Sequence, residues 1–370
     1  MSALGRLPLV AQDVECLVRH RLAAPELRVA VGQLVEPETI LAMAADGLPR
    51  SARIALAAEL GVAPADAARY LVRALGERVE AGEVVAVRRR GLRSQEVTSP
   101  IAGRLATLDA ETGLLTVVTD PPRRAVPALV AGEVRSVADD AVTIRAIGDL
   151  LLGASLLGRE SAGPLIVLAD RPDRELPAEE FDERCRGAIV LAGMTVSSAA
   201  LRRLHDVGAA GVIVGGLSTH ALEPFWGSAT PTRLQRALVD PSADWPFPFG
   251  VLMLEGFGRL PVPEPAFDFL AERTGRWVAL LSSASLGLDR PACFVSPRSL
   301  QGQPLQPVAL VPGAVVHLRL PARPGLGRLV SVPFVARQPD SLAFRAVWVE
   351  RDGNREIVPV DLVDPVAADA

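Results

Sequence analysis

Two glycine-rich stretches carry the residue types best suited to chemistry. Leu254-Glu255-Gly256-Phe257-Gly258 sets a carboxylate between an apolar run and a Gly-Phe-Gly turn. Gly215-Gly216 ends the run Gly211-Val212-Ile213-Val214, with His220 close behind. Open α/β sheets bind ligands beyond the carboxyl ends of their strands. Placed there together, Gly215, Gly216, His220, Glu255, Gly256 and Gly258 would make a small ligand pocket with an acid and an imidazole. The simpler roles are a tight strand-end turn for the glycine pair and a carboxylate bonding loop amides for Glu255. A dinucleotide fingerprint needs G-x-G-x-x-G between strand and helix; here Leu217-Ser218-Thr219-His220 follows instead.

Basic residues cluster twice, at Arg88, Arg89, Arg90 and Arg93 and at Arg319, Arg323 and Arg328. Guanidinium forks suit phosphate recognition, which makes these seven the candidates for contact with nucleic acid. Glu83 and Glu96 flank the first cluster, so a solvated or partner-pairing surface is the plainer reading. The net charge of −4 argues against a chain whose whole surface is built for nucleic acid.

Much chemistry is excluded outright. All 39 basic residues are arginine and the chain has no lysine. No side-chain Schiff base, Walker-type phosphate lysine, biotinyl-lysine or lipoyl-lysine can therefore form. GC-rich coding accounts for the bias, with only Asn354 and Tyr70 of their kinds. The four histidines are scattered, with no HExxH, nucleophile elbow or paired carboxylates, so no catalytic residue is assigned. Cys16, Cys185 and Cys293 are far apart, which argues against a metal site or a disulfide framework. No cofactor is expected. The first sixteen residues carry acids where an export signal needs an apolar stretch, and no window reaches the ~18 apolar residues of a membrane span. The expected location is the cytoplasm.

The elements that must position these residues begin with an internal repeat. Val31-Gly32-Gln33-Leu34-Val35-Glu36 through Ile40-Leu41-Ala42 returns 44 residues later as Leu75-Gly76-Glu77-Arg78-Val79-Glu80 through Val84-Val85-Ala86. Each copy is a turn glycine followed by alternating apolar positions, the period of a half-buried strand. Between the copies, residues 51–74 read as helical with a break at Pro64, and Asp66 falls in the first turn of the second half. Short glycine-punctuated strands follow at 98–105, 114–119, 130–137 and 141–144.

Gly76-Glu77-Arg78-Val79-Glu80-Ala81-Gly82-Glu83-Val84-Val85-Ala86, followed by Ser99-Pro100-Ile101-Ala102-Gly103-Arg104-Leu105, resembles the barrel-sandwich hybrid of biotinyl and lipoyl carriers, over roughly 28–150. The departure is the hairpin between Val87 and Val97, which carries arginines and no acceptor lysine. The resemblance implies a hammerhead used as structure, not as a swinging arm.

From about Gly163 the pattern becomes α/β. Residues 165–169 and 188–192 suit buried strands. Residues 196–207 suit a helix with Ala199, Ala200, Leu204 and Val207 on one side. Residues 208–216 then read as turn, strand and glycine loop, a parallel βαβ unit. Strands at 249–254 and 277–282 bracket a helix near 265–273, and 224–248 reads as a long excursion over the sheet edge. The end of the chain, with segments at 310–319, 325–332, 342–349 and 357–363 read as β, resembles a KOW-type SH3-like barrel.

The expected class is a multidomain α+β protein: a barrel-sandwich hybrid over 1–160 with a helical insert near 51–74, a small α/β domain with a short parallel sheet over 161–300, and an SH3-like β-barrel over 301–370. Three such modules point first to a non-enzymatic scaffold acting on protein partners. A second reading is a nucleic-acid or transcription/translation-associated factor, and a third is a ligand-binding or enzymatic α/β domain centred on Glu255.

Overall fold

The computed structural model describes residues 5–46, 49–90, 93–240, 245–297, 302–320, 323–337 and 343–366. Strands make up 44% of it and helices 18%. The chain divides into two compact units, one of Met1–Arg21, Val29–Leu41 and Pro127–Ala370, the other of Leu22–Arg28 and Ala42–Val126.

The first unit is built on one large sheet. Its strands are β1 (Val10–Arg21), β2 (Leu34–Val35), β3 (Gly132–Ala138), β4 (Ala141–Leu152), β5 (Ser155–Leu157), β6 (Ser161–Val167), β7 (Ile189–Leu191), β8 (Gly211–Leu217), β9 (Gly250–Phe257), β10 (Trp277–Leu281) and β11 (Ala292–Val295). The order runs β5-β9-β8-β7-β6-β10-β11-β4-β3-β2, with β1 also on β4 and a twelfth, two-residue strand, Gln303–Pro304, parallel on β1. Strands β6 to β9 are mutually parallel, and the remaining pairs along this order are antiparallel. The sheet runs on through residue 160, where the sequence pattern places a domain boundary, because β4 pairs with β11. The boundary at 300 lies outside the described residues.

Strands β7 and β8 are buried at every position, as continuous apolar runs must be when both faces are covered. One face packs on α1 (Ser198–Val207) and α2 (Thr230–Val239); the other packs on α3 (Glu264–Ala271). Ser197 caps α1 by accepting from the Ala200 amide, and Gly208 ends it in the left-handed conformation. The inward stripe of α1 is Ala200, Leu201, Leu204 and Val207. Ala199, expected on that stripe, faces solvent.

Residues 224–248, read as an excursion, hold the short helix Glu223–Trp226 and then α2. Pro231 stands in the first turn of α2, where its missing amide costs nothing. Residues 241–244 of this stretch lie outside the described residues.

The last residues form a six-stranded antiparallel sheet. Its strands are β12 (Val315–Leu318), β13 (Gly325–Leu329), β14 (Phe334–Arg337), β15 (Ala343–Arg351), β16 (Asn354–Pro359) and β17 (Val363–Pro365). Their order is β14-β15-β13-β12-β17, with β16 also on β15. The sheet closes on Val316, Leu318, Leu329, Val347, Val349 and Val358. Leu342, read as the start of β15, lies outside the described residues.

The second unit has its own core of Ile54, Leu60, Val79, Val85, Val97, Leu105, Leu115 and Val117. Residues 51–74, read as helical, split three ways: a strand Ser51–Ile54, a five-residue helix Leu56–Leu60 ended by Gly61, and a 3-10 turn Pro64–Tyr70 with Asp66 in its first turn. The strand forms because Ser51–Ile54 is in register with Leu115–Val118, and that pairing overrides the local helical pattern.

The sequence repeat is also a repeat of structure. Gly32 and Gly76 both take positive φ, 83° and 90°, the conformation for which glycine is the usual residue. The Gly32 amide donates to Val134 and the Gly76 amide to Leu105. Val35 then pairs with Gly132, and Val79 with Gly103. A Cβ on Gly132 would lie 2.3 Å from the Arg145 carbonyl, and one on Gly103 2.4 Å from that of Val118. The two Ala-Gly pairs, at 131–132 and 102–103, are therefore equivalent close approaches of backbone to backbone.

Candidate functional site

Gly215 and Gly216 are not in a loop. Both lie within β8 and are fully buried. Their register with β9 is broken: Val214 pairs with Met253, but Gly216 pairs with Gly256. Two residues of β9, Leu254 and Glu255, thus oppose the single Gly215. An extra residue of this kind is a bulge, a device that re-aims a side chain. Leu254 stays in the core, and Glu255 is the residue set free.

The glycine pair owes its composition to the chain that follows. After Gly256 and Gly258, at φ 115° and 131°, the backbone folds back over β8. A Cβ on Gly215 would lie 2.1 Å from the Leu260 carbonyl oxygen, and one on Gly216 2.6 Å from that of Gly258. The Gly258 amide donates to Leu217, and the Val262 amide to Pro172 at 3.0 Å. The space that a ligand was expected to approach is filled by residues 258–261.

Glu255 does meet an imidazole, but not that of His220. His220 is 82% exposed, with Nδ1 2.9 Å from Glu223 Oε1. The partner is His317 on β12, whose Nε2 contacts Glu255 Oε1. The two side chains are 2% and 1% exposed. Nδ1 of His317 is buried and has no hydrogen-bond partner among the described residues. Since Nε2 faces a carboxylate, it carries hydrogen.

Glu255 and His317 lie in the wall of a cleft of about 580 Å³. Pro172, Pro261, Val262 and Leu326 supply apolar wall, and Asp173 and Glu264 add two carboxylates. No arginine is among its lining residues.

A second polar contact ties the C-terminal sheet down. Asp364 on β17 stands opposite His317 in register and is 1% exposed. It accepts from Arg290 Nη1 at 2.7 Å and Arg319 Nε at 2.9 Å. Burial lowers the Arg290 pKa from its usual value, and the Asp364 charge opposes that shift.

Comparison of the chain with family models, curated proteins and solved structures finds no match. The site must be read from its own geometry.

The arginines read as a nucleic-acid surface do not share one role. Arg88 Nη1 donates to the carbonyls of Leu60 and Gly61, occupying the exposed C-terminus of the helix Leu56–Leu60. Arg89 is exposed. Arg90 and Arg93 pair across the hairpin, whose tip residues Gly91 and Leu92 lie outside the described residues. Arg319 is bound to Asp364, and Arg328 donates to the Gly313 carbonyl at 2.9 Å. Arg323 is exposed, with Asp352 at 3.9 Å.

His317 was the residue missed. The one signal in the sequence was its place in Val315-Val316-His317-Leu318, a polar group among apolar ones on a strand. A histidine buried there needs a partner, and nothing local identifies Glu255. Among the described residues no group of three His, Cys, Asp or Glu could hold a metal ion, the three cysteines are free and buried, and no helix is long and apolar enough to cross a membrane.

Proposed function

We propose that this chain is a small-molecule-binding protein whose site is the cleft at Glu255 and His317. One observation carries the reading: a buried imidazole, held through Nε2 by a carboxylate and without a partner for Nδ1 among the described residues, belongs to a residue that lines a cleft. A buried polar atom without a partner costs roughly 1–3 kcal/mol, and a ligand hydrogen bond would offset that. The cleft volume lies within the usual range for small-molecule sites. The test is thermal unfolding against a metabolite panel, since a ligand that binds only the folded state raises Tm. A Tm shift that disappears in Glu255→Ala and His317→Ala supports the site. A shift that survives both substitutions removes it.

The finer fold assignments belong to the same proposal. The glycine turns and paired strands of residues 42–126 support a barrel-sandwich hybrid used as structure, with no lysine to carry a cofactor. The six-stranded C-terminal sheet supports an SH3-like barrel. The buried free thiols are compatible with the cytoplasm, which we propose as the location.

A protein scaffold is the second reading, favoured by an exposed apolar cluster on the C-terminal sheet. Phe334 and Trp348 stack at 6.4 Å between ring centroids. Trp348 stands opposite Ile357 in register, and the two are 38% and 45% exposed. Apolar patches of this kind serve protein contacts. A stoichiometric partner that is lost in Trp348→Asp and kept in His317→Ala would support it, whereas a partner indifferent to Trp348 would not. The nucleic-acid reading has less support, because Arg88, Arg319 and Arg328 are engaged within the fold.

A further inference from the structure

We draw no further inference here: the strongest candidate, the small cavity lined by Arg6, Asp289, Arg290 and Asp364 beside the ion pairs of Arg6, Arg290 and Arg319 with Asp364, carries nothing, because Asp289, Asp361 and Asp364 match the three arginines in charge and Arg290 Nη2, unpartnered among the described residues, is itself buried and is directed into the cavity by no contact.

Discussion

His317 and Glu255, 62 residues apart in the chain, meet in a side-chain pair almost wholly withdrawn from water. Removing one member of a buried ion or hydrogen-bonded pair strands the other, at a cost of about 3–5 kcal/mol. We expect Glu255→Ala and His317→Ala each to lose stability on that scale in urea unfolding. Replacing both with leucine should cost less than either single change, because no polar group is then left alone. Additive losses in the double variant would show that the two side chains do not act as a pair.

Gly215→Ala should be among the most damaging small substitutions in the chain. Its methyl group would meet the Leu260 carbonyl oxygen at 2.1 Å, and backbone must move to admit it. The expected loss is about 3 kcal/mol or more, the upper range for overpacking. Any ligand-induced Tm shift should go with it, since the displaced segment carries Pro261, which lines the cleft. Gly187→Asn is the control. Its φ of 66° suits asparagine in the left-handed region, and nothing lies within 4 Å of the added Cβ.

Arg88 and Arg89 are neighbours with opposite expected phenotypes. Arg88→Ala removes two hydrogen bonds to helix-end carbonyls, a loss of about 1.5–3 kcal/mol for a charged donor. Arg89→Ala, at an exposed position, should stay within about 0.5 kcal/mol. Hydrogen exchange at residues 56–61 reads the difference directly. Faster exchange in Arg89→Ala than in Arg88→Ala would refute the capping role.

His20 gives stability a pH dependence. Its burial lowers its pKa from 6.5, an effect opposed by the Glu160 charge and by a hydrogen bond to the Ala128 backbone. The folded protein then binds fewer protons at this ring than the unfolded chain does. Its contribution is present above pH 6.5 and is lost as the pH falls below it. In urea midpoints taken from about pH 7.5 down to about pH 5, His20→Gln should flatten the acid side of the curve. An unchanged slope would assign the acid sensitivity to other groups.

What the sequence determined by itself was local. The glycines at 32 and 76 and the apolar alternation after them specify turn and strand wherever they occur. Both copies accordingly fold alike, down to equivalent backbone bonds with Val134 and Leu105. The continuous apolar runs of β7 and β8 and the Ala200, Leu204 and Val207 part of the α1 stripe were legible for the same reason, since the period of an element is set by its own residues. Glu255 could be singled out as a carboxylate at a strand end.

Tertiary structure decided the rest. Ser51–Ile54 became a strand because Leu115–Val118 offered it a ladder. Gly215-Gly216 stayed in the sheet because residues 258–261 took the space beside it. Glu255 is aimed by a one-residue slip between β8 and β9, which no periodicity encodes. Its partner was chosen by the packing of β12 against the α/β sheet, not by the nearness of His220 in the chain. Register, bulges and long-range partners depend on surfaces that exist only once the sheets have met.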